Sequence, residues 1–244
     1  MPRFFFHKNE SSHECVTLTG ESASHIAQSL RMSVGEAITL CDGEGFDYLG
    51  KLSSVSRESV TVSIEKVVPS TAEPPYRARL YQCLPKGDKF ETVIQKSVEC
   101  GVFEIVPVQS SRCIVKMKPE DSAKKLVRYN RIAEEAAKQS GRGVIPRVLA
   151  PMSFREAVAA MAKDGMSFLC YENEDGKTLS DLIRQSERPE TVSFLIGPEG
   201  GLSPKEVALA TESGVYPISL GERILRTETA SPFVLAILAA FYEL

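Results

Sequence analysis

From residue 77 onward, short apolar runs alternate with amphipathic segments, and this alternation limits the fold more than any other feature of the sequence. RARLYQCL reads as a strand, KGDKFETVIQKSVECG as a helix stopped by Gly101, and EIVPVQS as a second strand. A long helix over 121–139 stops at Ser140-Gly141, SFREAVAAMAKD is helical, SFLCYE is a strand, TLSDLIRQ a short helix and VSFLIG a strand. SPKEVALATESG carries a full helix start, with Ser203 as N-cap, Pro204 at the first position and Glu206 three residues after the cap. VYPISL is the last strand, and an apolar helix ending FVLAILAAFYEL closes the chain. Strands recurring between helices predict a parallel α/β sheet.

The earlier part of the chain follows another rule. VVPSTAEPPY, 67–76, holds three prolines among small polar residues and reads as a linker between a first domain, 1–70, and a second, 76–244. Before it, short β-rich pieces over 14–18, 37–40, 46–55 and 59–67, with turn signals at Asp42-Gly43 and Gly45 and one helix over 22–31, predict a small β-barrel. Phe4 to Phe6 open that barrel and read as core before they read as a base-stacking platform.

Composition narrows the function classes. No apolar run approaches the roughly 20 residues of a membrane span, and MPRFFFHKNE turns polar too early for a signal peptide, so a cytosolic, membrane-free protein is expected. Six cysteines without a CxxC pair read as reduced thiols, and His7, His13 and His25 lack metal-ligand spacing. A zinc site on Cys15 with His7 or His13 is disfavoured because closed zinc sites use paired ligands at tight spacing; no metal is expected. The net charge of −3 hides an asymmetry: residues 112–147 hold ten Lys and Arg against four Asp and Glu. Such a stretch is a solvated helix face or a nucleic-acid footprint, and its isolation in an otherwise acidic chain favours the second.

Two glycine-bearing loops follow strands near the end of the chain: IGPEGG after VSFL, and LGERILRTETA after VYPIS. The first has neither the GxxxxGK(S/T) nor the GxGxxG spacing of phosphate and dinucleotide loops, and it carries Glu199 where a phosphate would be repelled. Ligands of open α/β sheets bind beyond the carboxyl ends of strands, so the two loops are expected to share one pocket.

The pair, together with PRFF, SLRMSVGEAITLCDGEG, KGDKFETVIQKSVECGVFEIVPVQSSRCIV and RIAEEAAKQSGRGVIP, resembles the SPOUT methyltransferases, and within them the bacterial 16S rRNA uridine N3-methyltransferases. The resemblance spans nearly the whole chain. It implies a PUA-like β-barrel followed by an α/β domain with a trefoil knot, an enzyme that works as a homodimer through the knotted domain, and S-adenosylmethionine as methyl donor. The implied reaction is methylation of N3 of uridine 1498 in the 16S rRNA of the 30S subunit.

Carried over residue by residue, the cofactor pocket falls on Tyr171 and Glu172, on Leu195, Ile196, Gly197, Pro198, Glu199, Gly200 and Gly201, and on Ile218, Ser219, Leu220, Gly221, Arg223, Ile224 and Leu225. Glycines let backbone donors and acceptors approach adenine and ribose closely, while Leu195, Leu220, Ile224 and Leu225 would wall the purine. Glu199 would meet a ribose hydroxyl or the cationic methionine end, or would merely sit at a helix entry.

The N3 proton must leave before that nitrogen attacks the methyl group, which makes Arg226 the candidate for stabilising a uracilate oxygen and Glu228 the candidate base. Catalysis by alignment alone is the alternative. RNA contacts are expected at Arg3, Arg31, Arg112, Lys116, Arg128, Arg131, Lys138 and Arg142, with Arg142 of the QSGR segment the preferred substrate arginine. A related enzyme acting on a ribose hydroxyl or another base, and a non-catalytic RNA-binding assembly factor, are the rival readings.

Overall fold

The computed structural model describes residues 2–6, 14–117, 119–185 and 187–244, with backbone alone over 119–121. The chain divides into two units, Met1–Glu73 with Ala137–Ile145, and Pro74–Ala136 with Pro146–Leu244.

The first unit is a five-stranded, curled sheet. Its strands are β1 (Arg3–Phe5), β2 (Cys15–Thr19), β3 (Ala37–Cys41), β4 (Phe46–Val55) and β5 (Ser59–Pro69), in the order β1-β3-β4-β5-β2. Only β1 and β3 pair in parallel. Alternate residues Val16, Leu18, Ile38, Leu40, Leu52, Val60 and Val62 turn inward and close on Phe6, Ile26 and Met32. Two register shifts between β4 and β5 bend the long hairpin, which lets so few strands wrap around a core. At Gly50 a Cβ would come 2.3 Å from the Ser63 carbonyl oxygen, so the crossing of β4 and β5 admits no side chain there. The Asp42 carboxylate accepts the Glu44 and Phe46 N–H groups and builds the expected turn.

The expected helix over 22–31 begins earlier and changes character. α1 (Gly20–Ser24) runs into five residues of π-helix, His25–Ser29, closed by Leu30 N–H on the His25 carbonyl at 3.0 Å. Arg31 then takes φ 52°, the one non-glycine residue in the left-handed region among the described residues. The segment 141–145 is stitched to this unit by Gly45 N–H on the Gly143 carbonyl and by Gly143 and Val144 N–H on Glu73.

The second unit is the parallel α/β sheet that the alternation predicts. Along the chain come β6 (Arg77–Cys83), α2 (Lys89–Glu99), β7 (Glu104–Gln109), α3 (Pro119–Gln139), β8 (Arg147–Val148), β9 (Met152–Ser153), α4 (Phe154–Met161) and β10 (Met166–Cys170). They are followed by α5 (Leu179–Arg184), β11 (Thr191–Ile196), α6 (Pro204–Glu212), β12 (Tyr216–Ile218) and α7 (Thr227–Tyr242). The sheet order is β12-β10-β11-β6-β7-β8, every pairing is parallel, and β9 also pairs with β7. Five consecutive residues of β11, Val192 to Ile196, are buried because the strand is covered on both faces.

Side chains set the helix starts. Ser153 with Glu156, Thr178 with Asp181 and Ser203 with Glu206 form capping boxes, the last with Pro204 in the first turn as the sequence predicts. α7 starts before its proline rather than after it: Arg226 is the N-cap and Pro232 is the sixth helical residue, leaving the Glu228 carbonyl without its helical N–H donor.

One connection departs from ordinary α/β topology. Tyr171 N–H donates to the Ile218 carbonyl at 3.0 Å, Ser219 N–H to the Lys177 carbonyl at 2.7 Å, and Leu179 N–H to the Ser219 carbonyl at 3.4 Å. The chain leaving β12 is thus bonded along the 171–179 loop at three backbone positions, which ties the exits of β10 and β12 together. No described helix is long and apolar enough to cross a membrane.

Candidate active site

β10, β11 and β12 run parallel and end side by side, so the segments starting at Tyr171, Gly197 and Ser219 emerge at one edge of the sheet. Leu195, Ile196 and Ile218 are buried within the strands and support the loops from below. Pro198 is also buried, and Gly201 N–H on the Pro198 carbonyl at 2.9 Å closes the first loop as a tight turn. Gly201 needs its glycine: φ is +66°, and a Cβ would run into the Glu172 carboxylate. Gly221 opens the second loop at φ +101°, with its N–H on the Ser219 hydroxyl at 3.2 Å.

Two acidic residues at the first loop have different surroundings. Glu199 accepts Lys86 N–H at 3.1 Å and the Lys89 ammonium at 3.1 Å. Burial alone would raise its carboxyl, but its own N–H, Lys89 and the Lys86 N–H hold it below the usual value. These contacts make Glu199 a brace between its loop and the β6–α2 connection. Glu172 is exposed, lies against Gly201, and has no hydrogen bond or ion pair among the described residues. Its carboxylate is therefore the one available to a cationic or hydroxyl-bearing ligand.

Apolar surface is available on the second loop. Leu220 and Leu225 are half-buried, and Ile224 is 88% exposed. Arg223 is exposed as well. Glycine backbone that a ligand can approach closely, an unpaired carboxylate and exposed aliphatic carbons together suit a ligand with a flat apolar ring, hydroxyls and a positive centre.

Arg226 and Glu228 flank Thr227 at the start of α7. Arg226 is exposed, without a side-chain partner among the described residues, while its carbonyl accepts Thr229 and Ala230 N–H and starts the helix. Glu228 is partly buried, its Oε2 lies 3.7 Å from the Lys89 ammonium, and that oxygen has no hydrogen bond. Lys89 thus faces both Glu199 and Glu228.

Four residues of this arrangement went unassigned in the sequence reading: Gln82, Lys86, Lys89 and Thr227. The Gln82 side-chain N–H reaches the Thr227 hydroxyl at 2.9 Å, and that hydroxyl donates to the Gly197 carbonyl at 2.9 Å. The one available signal was an amide inside the apolar strand RARLYQCL, since a polar side chain in a central strand must find partners.

The expected RNA residues separate into exposed and committed groups. In the second unit, Arg112 is exposed with one guanidinium nitrogen on the Gly200 carbonyl at 2.8 Å, beside the first loop, and Lys116 is exposed. Arg128 and Arg131 are exposed on α3 and pair with Glu91 and Glu135. In the first unit, Lys138 and Arg31 are exposed, whereas Arg3 is bound to Asp47 and Ser70. Arg142 differs most from expectation. It is 3% exposed, with its guanidinium spread over both oxygens of Glu73, and it presents nothing to a phosphate.

Phe6 is core, and Phe4 packs against the core with its ring edge-on to His25. All six cysteines are free thiols. His7 and His13 lie outside the described residues, and among those described no three His, Cys, Asp or Glu side chains cluster as a metal site.

Comparison with known proteins gives this geometry a context. Residues 72–239 match the family described as RNA methyltransferase domain, and residues 18–65 match the RNA methyltransferase PUA domain. The chain is 35% identical over 251 residues to the ribosomal RNA small subunit methyltransferase E of Bacillus subtilis (strain 168), covering 100% of this chain and 98% of that protein. It is 33% identical to the protein of the same name from Synechocystis, over 93% of this chain and 74% of the relative. The crystal structure of a ribosomal RNA small subunit methyltransferase E from Neisseria gonorrhoeae, bound to S-adenosyl methionine, has a TM-score of 0.87 and 34% identity, covering 99% of this chain and 98% of that one. By sequence over its full length and by fold over both units, the chain belongs to the RNA methyltransferase family of the ribosomal RNA small subunit methyltransferases E.

Proposed function

We propose that this protein methylates N3 of a uridine in the 16S rRNA of the small ribosomal subunit, using S-adenosylmethionine. The observation that carries the reading is the joining of the two glycine loops at one sheet edge, with Arg226 unpaired beside them. S-adenosylmethionine supplies a sulfonium-activated methyl group, and its sulfur keeps the electron pair of the bond that breaks. Leu220, Ile224 and Leu225 would cover the purine, the loop backbone at Gly197 to Gly201 would meet adenine and ribose, and Glu172 would face a hydroxyl or the methionine ammonium.

The chain's own chemistry concerns the proton. Glu228 takes the proton from N3, Arg226 stabilises the charge that builds on the adjacent carbonyl oxygen, and the freed nitrogen lone pair forms the new bond to carbon. In this reading 1–70 is a PUA-like RNA-binding domain and 76–244 the transferase domain. Arg112, Lys116, Arg128, Arg131, Lys138 and Arg31 supply exposed charge for phosphates, and binding falls as salt rises. The enzyme works in the cytoplasm as a homodimer through the second domain, where Ile224, Phe241 and Leu244 leave apolar surface exposed.

The test is incubation with tritiated S-adenosylmethionine and undermethylated 30S subunits. Label in 16S rRNA is the expected result. RNA binding without cofactor binding or label would replace the enzyme with an assembly factor of the same fold.

A further inference from the structure

We propose that Gln82 and Thr227 are positioning residues that set the cofactor loop through one directed chain of hydrogen bonds, amide to hydroxyl to carbonyl; this rests on the function proposed above. Gln82 is fully buried in β6, next to Ile196 of β11, and Thr227 is 7% exposed at the first position of α7. A buried amide is costly without partners. Its two N–H groups go to the Thr227 hydroxyl at 2.9 Å and the Cys83 carbonyl at 3.0 Å. Because the Thr227 oxygen accepts from Gln82, its single proton is directed to the Gly197 carbonyl, 2.9 Å away.

The recipient explains why such a device has a use. Gly197 is the first residue of the loop and has no Cβ to limit its backbone, so its peptide orientation must be imposed from outside. A Cβ there would press on Leu202 at 3.3 Å, which keeps glycine in place and leaves the hydroxyl as the restraint. Thr227 directly follows the second loop, so the same bond fixes the spacing of the two loops. Removing the hydroxyl should leave the fold intact and loosen the site.

Thr227→Val keeps the shape and loses the bond, Thr227→Ser restores the hydroxyl, and Gln82→Met removes the donor while leaving Thr227. Each is compared with wild type by calorimetric titration of S-adenosylmethionine, by steady-state kinetics and by thermal unfolding. The expected result is a Kd and KM for the cofactor raised about tenfold in Thr227→Val, kcat at saturating cofactor within about twofold, recovery in Thr227→Ser, and a smaller rise in Gln82→Met. A Thr227→Val protein that melts lower but binds the cofactor like wild type overturns the proposal. If Thr227→Val does not fold, wild-type affinity in Gln82→Met overturns it equally. Wild-type protein that binds no cofactor removes the functional reading itself, and this inference with it.

Discussion

Arg142 and Glu73 form a two-pronged ion pair, with Nη2 to Oε2 at 2.6 Å and Nε to Oε1 at 3.3 Å, in which the arginine side chain is only 3% exposed. The same carboxylate accepts Gly143 and Val144 N–H. Removing one partner of a buried pair strands the other charge, at about 3 to 5 kcal/mol. Glu73→Ala should therefore destabilise the first unit by about that amount in urea unfolding. A loss below about 1 kcal/mol would show that solvent reaches the pair.

Arg226→Ala and Glu228→Gln probe the reaction rather than binding. At saturating cofactor each should lower kcat by about a hundredfold, with the cofactor Kd nearly unchanged. Full turnover in both would leave alignment of cofactor and base as the whole of catalysis.

Acid should weaken the junction between the β7 exit loop and α6. Glu206 is nearly buried, which by itself would raise its carboxyl, but Ser111 and Ser203 N–H and both serine hydroxyls hold it below its usual 4.5. A depressed carboxyl stabilises the fold fully above that ordinary value and loses the contribution as pH falls through the lowered one. Glu206→Gln should cost about 1 to 3 kcal/mol at pH 7, and the gap to wild type should close on acidification. A pH-independent gap would assign the cost to packing.

Gly201 carries a conformational demand that can be tested directly. At φ +66° an alanine costs about 1 to 2 kcal/mol and must push Glu172 aside. Gly201→Ala should weaken cofactor binding about tenfold or more and lower the melting temperature by a few degrees. Unchanged affinity would mean that Glu172 and this turn are not part of the pocket.

Much of the architecture was legible because it rests on local signals. The alternation after residue 77, the Ser203-Pro204-Glu206 start and the Asp42 turn each depend on neighbours in sequence, and each stands in the structure. What escaped depends on partners far along the chain. Arg142 sits in a basic run that reads as a nucleic-acid footprint, and nothing local reveals that Glu73, 69 residues earlier, neutralises it. Glu199 looks like a ligand group until Lys86 and Lys89 are found beside it. The turn of π-helix after α1 and the helical Pro232 are settled by packing, which outweighs propensity at helix ends.

The central claim is that the methyl group goes to a base nitrogen of uridine in 16S rRNA. Undermethylated 30S subunits treated with the protein and labelled S-adenosylmethionine should yield, after complete digestion to nucleosides and mass spectrometry, a single labelled product, 3-methyluridine, whose extra mass stays with the base on fragmentation. Label that fragments with the ribose would contradict the account.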